Sequence, residues 1–317
     1  MTINKKSKVF VAGHNGLVGS SIVKCLVKNG YQNIIKKDKL ELDLRDQKKT
    51  MLFFKKEKPD IVICAAAKVG GIYANQIYPG QFLFENLSIQ NNLIHFSHLN
   101  KVRYLLFLGS ACIYPKYAAQ PIKEDSILSG PLEPTNEPYA LAKIVGIKLC
   151  ETYYKQYSDN FISIMPNNLY GPNDNFHPDT SHVIPALIQK FHNAKVSSSK
   201  YVEIWGSGNP LREFLHVDDL AEAILFIINH VSVKEIYNKG ISHINIGSGE
   251  ELSIHNLALM IKKVVGFQGE IKFDKSKPDG TPRKLLDTSI MNKKGWRPKI
   301  KLKKGIKDLY NYYKAHV

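Results

Sequence analysis

The chain has 317 residues, 44% apolar and 23% charged, with four cysteines. That length suits about two domains or one large α/β unit, and the composition excludes a disordered chain, a collagen and a disulfide scaffold. Lys plus Arg is 44 against 28 Asp plus Glu, a formal net charge of +16. The lysines are scattered, with no arginine-rich arm or aromatic-spaced basic stripe, so the expectation is a solvated surface that draws in an anionic nucleotide, with no nucleic-acid partner.

The N-terminus, Met1 to Lys6, leads straight into a strand-like run without a signal-peptide core. No run reaches about 18 apolar residues, so no membrane span is expected. Cys25, Cys64, Cys112 and Cys150 form no C-x-x-C pair, which excludes zinc-finger and dithiol redox motifs. A cytoplasmic protein with reduced thiols and no metal is expected.

Residues 9–12 form a short apolar run, and residues 16–29 carry Leu17, Val18, Ile22, Val23, Leu26 and Val27 at helical spacing. Between them stands Gly13-His14-Asn15-Gly16-Leu17-Val18-Gly19, a G-x-x-G-x-x-G loop. Such glycines allow a tight turn, close approach of a pyrophosphate to backbone N–H groups, and close packing of helix on strand. Residues 34–35 read as a second strand, ending in Lys36-Lys37-Asp38. An NAD site usually offers an acid there for the ribose hydroxyl. Two cations suit a 2′-phosphate instead, so NADPH is expected, with Asp43 near the adenine end.

A further strand is predicted over 60–66, with Ala65, Ala66 and Ala67 small enough to lie beside a nucleotide. A helix follows over 81–99 and a strand over 104–108. The alternation of strands and helices predicts parallel pairing: an α/β, doubly wound (Rossmann) sheet. The next helix starts near Pro138 and runs to about 157. It carries Tyr139 and Lys143 four residues apart, hence on one face. A nearby ammonium favours phenolate and is expected to lower the phenol pKa from about 10. The preceding strand, with Leu108 among the expected cofactor contacts, ends in Gly109-Ser110-Ala111-Cys112, which brings the Ser110 hydroxyl towards the same carbonyl.

Beyond about 165 the pattern changes. Residues 166–178 are loop-rich; helices are predicted over 182–191, 218–230 and 253–265, strands over 202–205, 212–217 and 243–246, and a turn over 206–210. The tail from 269 mixes a strand, loops and a final helix. A smaller, discontinuous α/β substrate domain is expected over 166–212 and 247–317, beside a cofactor domain over 1–165 and 213–246.

A glycine loop, a serine after a later strand, then Tyr-x-x-x-Lys resembles the extended short-chain dehydrogenase/reductase family, many of whose members act on sugar nucleotides. The run from Gly109 to Lys116, Glu133 to Ala140, Asn168 to Pro172 with Asn175 to Pro178, Ser181 to Ala186, Trp205 to Gly208, Arg212 to Asp219 and Lys277 to Lys284 resemble its GDP-L-fucose synthase branch over nearly the whole chain. The resemblance implies an NADPH-dependent GDP-sugar 3,5-epimerase/4-reductase and a homodimer. It implies Ser110, Tyr139 and Lys143 as the reductase set and Cys112 with His182 as the epimerase acid/base pair. Pro166, Asn167, Asn168 and Leu169 would line the nicotinamide, with His182 alongside. Lys190, Trp205, Arg212 and Asp279 would bind the GDP-sugar. Arg suits a diphosphate bidentately, Trp offers a stacking face, and Asp accepts from guanine N–H groups.

Three residues depart from the branch's usual pattern: Asn15 for Arg, Asn167 for Thr and Ala111 for Ser. Such changes would accompany a different sugar, such as a GDP-heptose. Two alternatives stay open: a C4 reductase without epimerase activity, acting on a related GDP-4-keto hexose or heptose for surface polysaccharide, and a non-catalytic NADP-sensing regulator. A 4,6-dehydratase is excluded because Ala111-Cys112 supplies no acidic pair.

Overall fold

The computed structural model describes residues 4–177, 180–277 and 279–316. Met1, Thr2 and Ile3, Pro178 and Pro278 of the quoted motifs, and Val317 at the end of the expected second domain lie outside them. Side-chain alternation sets up the first sheet. In β1 (Lys8–Ala12), Val9 and Val11 enter one apolar cluster while Phe10 and Ala12 enter another, as a strand buried on both faces requires.

The first half continues through α1 (Leu17–Lys28), β2 (Asn33–Ile35), α2 (Gln47–Glu57), β3 (Ile61–Cys64), α3 (Ile72–Ile77), α4 (Pro79–Leu99), β4 (Tyr104–Leu108), α5 (Glu137–Tyr157) and β5 (Phe161–Pro166). The second half comprises β6 (Asn168–Tyr170), α6 (Val183–Val196), β7 (Tyr201–Trp205), β8 (Leu211–His216), α7 (Val217–His230), α8 (Val233–Asn238) and β9 (Ile244–Ile246). It ends with β10 (Glu251–Ser253), α9 (Ile254–Val265), β11 (Glu270–Asp274), β12 (Arg283–Lys284), α10 (Ser289–Lys293) and α11 (Leu302–His316).

The main sheet has the order β2-β1-β3-β4-β5-β9, parallel throughout. On one face it packs against Ile22 and Leu26 of α1 and Leu220, Ile224 and Ile227 of α7. On the other it packs against Phe53 and Phe54 of α2, Leu93 and Ile94 of α4, and Ile144 and Ile147 of α5. The expected doubly wound α/β sheet is therefore present. Because β2 and β3 flank β1 on opposite sides, the strand order reverses at β1, where such sheets open a crevice at their C-terminal ends.

Two smaller sheets complete the molecule. In one, β8 pairs with β10, β12 and β6; in the other, β7 pairs in parallel with β11. A third apolar cluster joins α6, α9 and α11 to these strands. Helix α2 and strand β5 are absent from the sequence expectations. Lys48, Lys49, Lys55 and Lys56 mask the helical face of Phe53 and Phe54, although Asp46 caps it by accepting from Lys49 N at 2.9 Å. Among the described residues no helix is long and apolar enough to cross a membrane.

Candidate active site

A cleft of about 640 Å³ opens at the switch point, lined by the ends of β1, β3, β4 and β5 and by the N-termini of α1 and α6. Its floor is the glycine loop. Gly13 has φ +82°, a left-handed conformation that favours glycine. A Cβ on Gly13 would lie 2.7 Å from Ala66 N, and one on Gly19 would lie 2.0 Å from Gly13 O. The loop, the end of β3 and the start of α1 are thus pressed together through backbone. At Gly16 a Cβ would meet only Gly13 O, at 3.5 Å, so this side is open. Gly16 caps α1 without a side-chain hydrogen bond, which leaves the first-turn N–H groups for an anion. His14 Nδ1 is buried with no hydrogen-bond partner among the described residues. This cradle fits the pyrophosphate of a dinucleotide.

Gly13 to Gly19, Lys37, Asp43, Ala65, Ala66, Leu108, Gly109, Ser110, Cys112, Tyr139, Lys143, Pro166, Asn167, Asn168, Leu169 and His182 all line this one cleft. Lys36 is exposed and is not among its lining residues. Lys37 pairs with Glu41 at 2.7 Å. Asp43 is gripped by Arg45, Oδ2 to Nη2 at 2.6 Å, which holds its carboxyl down at about 2; Arg45 also reaches Glu85 at 2.9 Å.

The reductase set is held by α5. Pro138 opens the helix, and Gly146 lets it seat directly on β4, where a Cβ would meet the Phe107 ring at 2.4 Å. That approach buries Lys143, whose Nζ donates to Leu108 O at 2.8 Å and lies 4.9 Å from the Phe107 ring centroid. Burial pulls the Lys143 ammonium down to about 8. Its Nζ is 5.7 Å from the Tyr139 ring centroid, and Phe82 meets that ring edge-on at 6.2 Å.

The lowered phenol pKa expected from the Tyr–Lys spacing is not what the structure gives. Burial pushes the Tyr139 phenol up, the nearby Cys112 adds to this, and only Ser110 opposes it. The i, i+4 spacing brings the residues together, but desolvation of a phenolate outweighs an ammonium already engaged with a carbonyl.

Ser110 caps a single 3₁₀ turn, Ala111–Ile113, accepting from Cys112 N at 3.5 Å. Cys112 is buried on that turn. Burial raises its thiol pKa, opposed by Ser110, Lys284 and Lys143. His182 is exposed at the N-cap of α6, with Nδ1 3.9 Å from Asp174 Oδ1; the other oxygen of Asp174 is buried with no hydrogen-bond partner among the described residues.

The four candidate sugar-nucleotide residues lie outside the cleft lining: Trp205 and Arg212 on β7 and β8, Lys190 on α6, and Asp279 between β11 and β12. Trp205, at the end of β7, is 60% exposed, and the ammoniums of Lys190 and Lys277 stand 5.6 and 5.5 Å from its ring centroid. Asp279 accepts from Ser207 N at 2.9 Å and Ser207 Oγ at 2.6 Å, which leaves further lone pairs open. Arg212 stands opposite Lys284 in the β8–β12 register, and Lys284 does line the cleft. No local pattern marks Lys284 as a cleft residue, because the strand that carries it is only two residues long; its charge lowers the Cys112 thiol pKa.

Comparisons with known proteins agree with this architecture. The model of the NAD dependent epimerase/dehydratase family matches residues 9–247. GDP-L-fucose synthase 1 of Arabidopsis thaliana is 54% identical over 314 residues, 99% of this chain and 95% of that one. Two solved structures from Campylobacter jejuni superimpose closely. A GDP-6-OMe-4-keto-L-xylo-heptose reductase has TM-score 0.95 at 40% identity, covering 100% of both chains. A GDP-mannoheptose C4 reductase with NADP bound has TM-score 0.90 at 42% identity, covering 98% of this chain and 99% of the other. The chain belongs to the NAD dependent epimerase/dehydratase family, within the extended short-chain dehydrogenase/reductases.

Proposed function

We propose that the chain is an NADPH-dependent epimerase/reductase of a GDP-4-keto-6-deoxy sugar, inverting C3 and C5 and then reducing C4, as in GDP-L-fucose synthases. The observation that carries this reading is the convergence of Ser110, Cys112, Tyr139, Lys143 and His182 on one cleft with the glycine loop. NADPH would be held by the loop, Lys37, and the wall from Pro166 to Leu169; when bound, it supplies the hydride. Tyr139 enters the reaction protonated, as a general acid for O4 must, and Ser110 steadies the same oxygen. Lys143, held by Leu108 O, places positive charge beside the phenolate left behind. A 4-ketone acidifies the C3 and C5 hydrogens by enolate formation. Cys112 and His182 then exchange protons at those carbons, and Asp174 orients the imidazole. The diphosphate and guanine fall to Arg212, Lys190, Trp205 and Asp279.

Within this reading, residues 1–165 and 213–246 carry the cofactor and 166–212 and 247–317 the GDP-sugar, in a cytoplasmic homodimer. A second reading, a C4 reductase without epimerisation, is favoured by one observation: the two superimposed structures are reductases of GDP-heptoses. A non-catalytic sensor is set aside, because the relatives are enzymes and Tyr139 and Lys143 are both in place. Product analysis with NADPH and a panel of GDP-4-keto-6-deoxy hexoses and heptoses tests the function. Reduction at C4 is expected, falling roughly 10²–10⁴-fold in Tyr139→Phe, the range for a lost general acid. Near-normal turnover by that variant would sink the assignment.

A further inference from the structure

Glu213 lies in β8 with its residue 0% exposed. Buried carboxylates are usually matched by a cation. Here every hydrogen-bond partner found among the described residues is an uncharged donor: Asn167 Nδ2 at 2.5 Å, Gly249 N at 2.6 Å, Leu286 N at 3.1 Å and Ser248 Oγ at 3.5 Å. The backbone wraps the group so tightly that a Cβ on Gly247 would lie 2.3 Å from Glu213 Oε1. Burial pushes the carboxyl upward, and the same donors pull it back.

These donors belong to three separate segments: the residue after β5, the turn after β9, and the residues after β12. Two of them lead to the cleft. Asn167 lines it, and its Nδ2 also donates to Lys284 O at 3.3 Å; its Oδ1 accepts from Asn168 N at 3.0 Å. Asn168 Nδ2 in turn donates to Glu213 O at 2.8 Å. Lys284, two residues before Leu286, lines the cleft beside Cys112. One carboxylate therefore ties a cofactor-wall residue to the segment that follows Lys284, another residue of the cleft lining.

We propose that Glu213 is a positioning residue, an acceptor-only strut that fixes Asn167 and the β12 segment against each other and so holds the wall where cofactor and sugar nucleotide meet. This rests on the dinucleotide reading of the cleft given above. The chemistry is specific to an ionised carboxylate. Both oxygens face donors, so the amide of a glutamine would turn N–H against N–H. The usual isosteric replacement is thus not conservative at this position.

The test is a double-mutant cycle on the full chain, with NADP binding read by calorimetry and folding by thermal melting. Glu213→Gln is expected to weaken NADP about 5–150-fold, the effect of one mispaired buried group. Asn167→Ala is expected to weaken it as well, and the double variant to fall within about threefold of the weaker single, because both act through one contact. NADP binding by Glu213→Gln within about threefold of wild type, or single effects that multiply in the double, would overturn the proposal. Should Glu213→Gln fail to fold, Asn167→Asp takes its place. It sets two carboxylates face to face, so NADP binding should be lost at pH 8 and recover on acidification as the pair shares a proton; a pH-independent variant would overturn the proposal. The readout needs no sugar, so a wild type that binds NADP but reduces none of the panel refutes only the proposed reaction. A wild type that does not bind NADP refutes the cofactor site and this role together.

Discussion

At the C-terminal ends of β1 and β3 the cleft is shaped by glycine and alanine, whereas around β7 and β8 the candidate ligands are the side chains of Lys190, Trp205, Arg212 and Asp279, all partly or largely exposed. In the first region contact would be made by backbone, and the geometry is fixed by atoms that cannot move: Ala66 N and Gly13 O stand where added Cβ atoms would go. In the second, Trp205 is flanked by two ammoniums at its ring and Asp279 accepts from the backbone and hydroxyl of Ser207. The first region should fail sharply when atoms are added. The second should weaken gradually when atoms are removed, and its lysine and arginine contacts should depend on salt.

The largest effect should come from Gly19→Ala. Its Cβ meets Gly13 backbone at 2.0 Å, so the loop must shift. Overpacking of this kind costs up to about 3 kcal/mol, and NADP affinity should fall on the order of 100-fold with a lower melting temperature. Gly16→Ala, with 3.5 Å to its nearest atom, should leave the melting temperature near wild type. Equal melting losses in the two variants would erase the steric contrast.

Trp205→Ala should raise the KM for the GDP-sugar about tenfold, within the range for loss of one base–aromatic stack, and leave NADP binding unchanged. A loss of NADP affinity instead would place Trp205 with the cofactor. A smaller effect separates the two lysines after β2. Lys37→Glu should shift the NADPH-to-NADH preference about fivefold, roughly 1 kcal/mol for a partly exposed ion contact. The exposed Lys36→Glu should barely shift it. Equal shifts would mean that neither lysine singles out the 2′-phosphate.

An effect on stability and not on affinity lies away from both regions. Glu124 is buried and its carboxyl is pushed up to about 7, mainly by burial, while its Oε1 accepts from Asn245 N at 3.0 Å. Between the ordinary carboxylate range and pH 7 the folded chain then binds more protons than the unfolded one, so this group's contribution to stability falls as pH rises through that window. Glutamine keeps the acceptor and cannot ionise. Glu124→Gln should melt about 2–4 °C higher than wild type at pH 8, for ~1–2 kcal/mol, and the gain should vanish below about pH 4.5. A gain independent of pH would contradict this.

The two regions also differ in how far sequence alone reveals them. The strand, glycine loop and helix at residues 8–28 are contiguous, so apolar periodicity and glycine spacing identify them directly. The parallel partners of β7 and β8 are remote: Tyr201 pairs with Glu270, and Arg212 with Lys284. Parallel pairing leaves no turn signal between partners. The strands predicted on either side of the 206–210 turn therefore end in different sheets. Strand β5 was hidden because its six residues are all buried and stop at the proline where the loop-rich pattern begins. Cys112 and His182 stand 70 positions apart, and only the family resemblance suggested joining them; the fold puts both on the cleft. Burial is what local spacing misses most, as the raised Tyr139 phenol and the fully buried Glu213 carboxylate demonstrate.

The central claim is that one cleft moves protons at C3 and C5 as well as reducing C4. The direct test is to incubate the chain with GDP-4-keto-6-deoxy-mannose in deuterated water without NADPH and follow the C3 and C5 hydrogens by NMR. Wild type should exchange both positions, and Cys112→Ser should slow that exchange sharply while still reducing C4 once NADPH is added. No exchange by wild type, with C4 reduction intact, would contradict the claim and leave a C4 reductase.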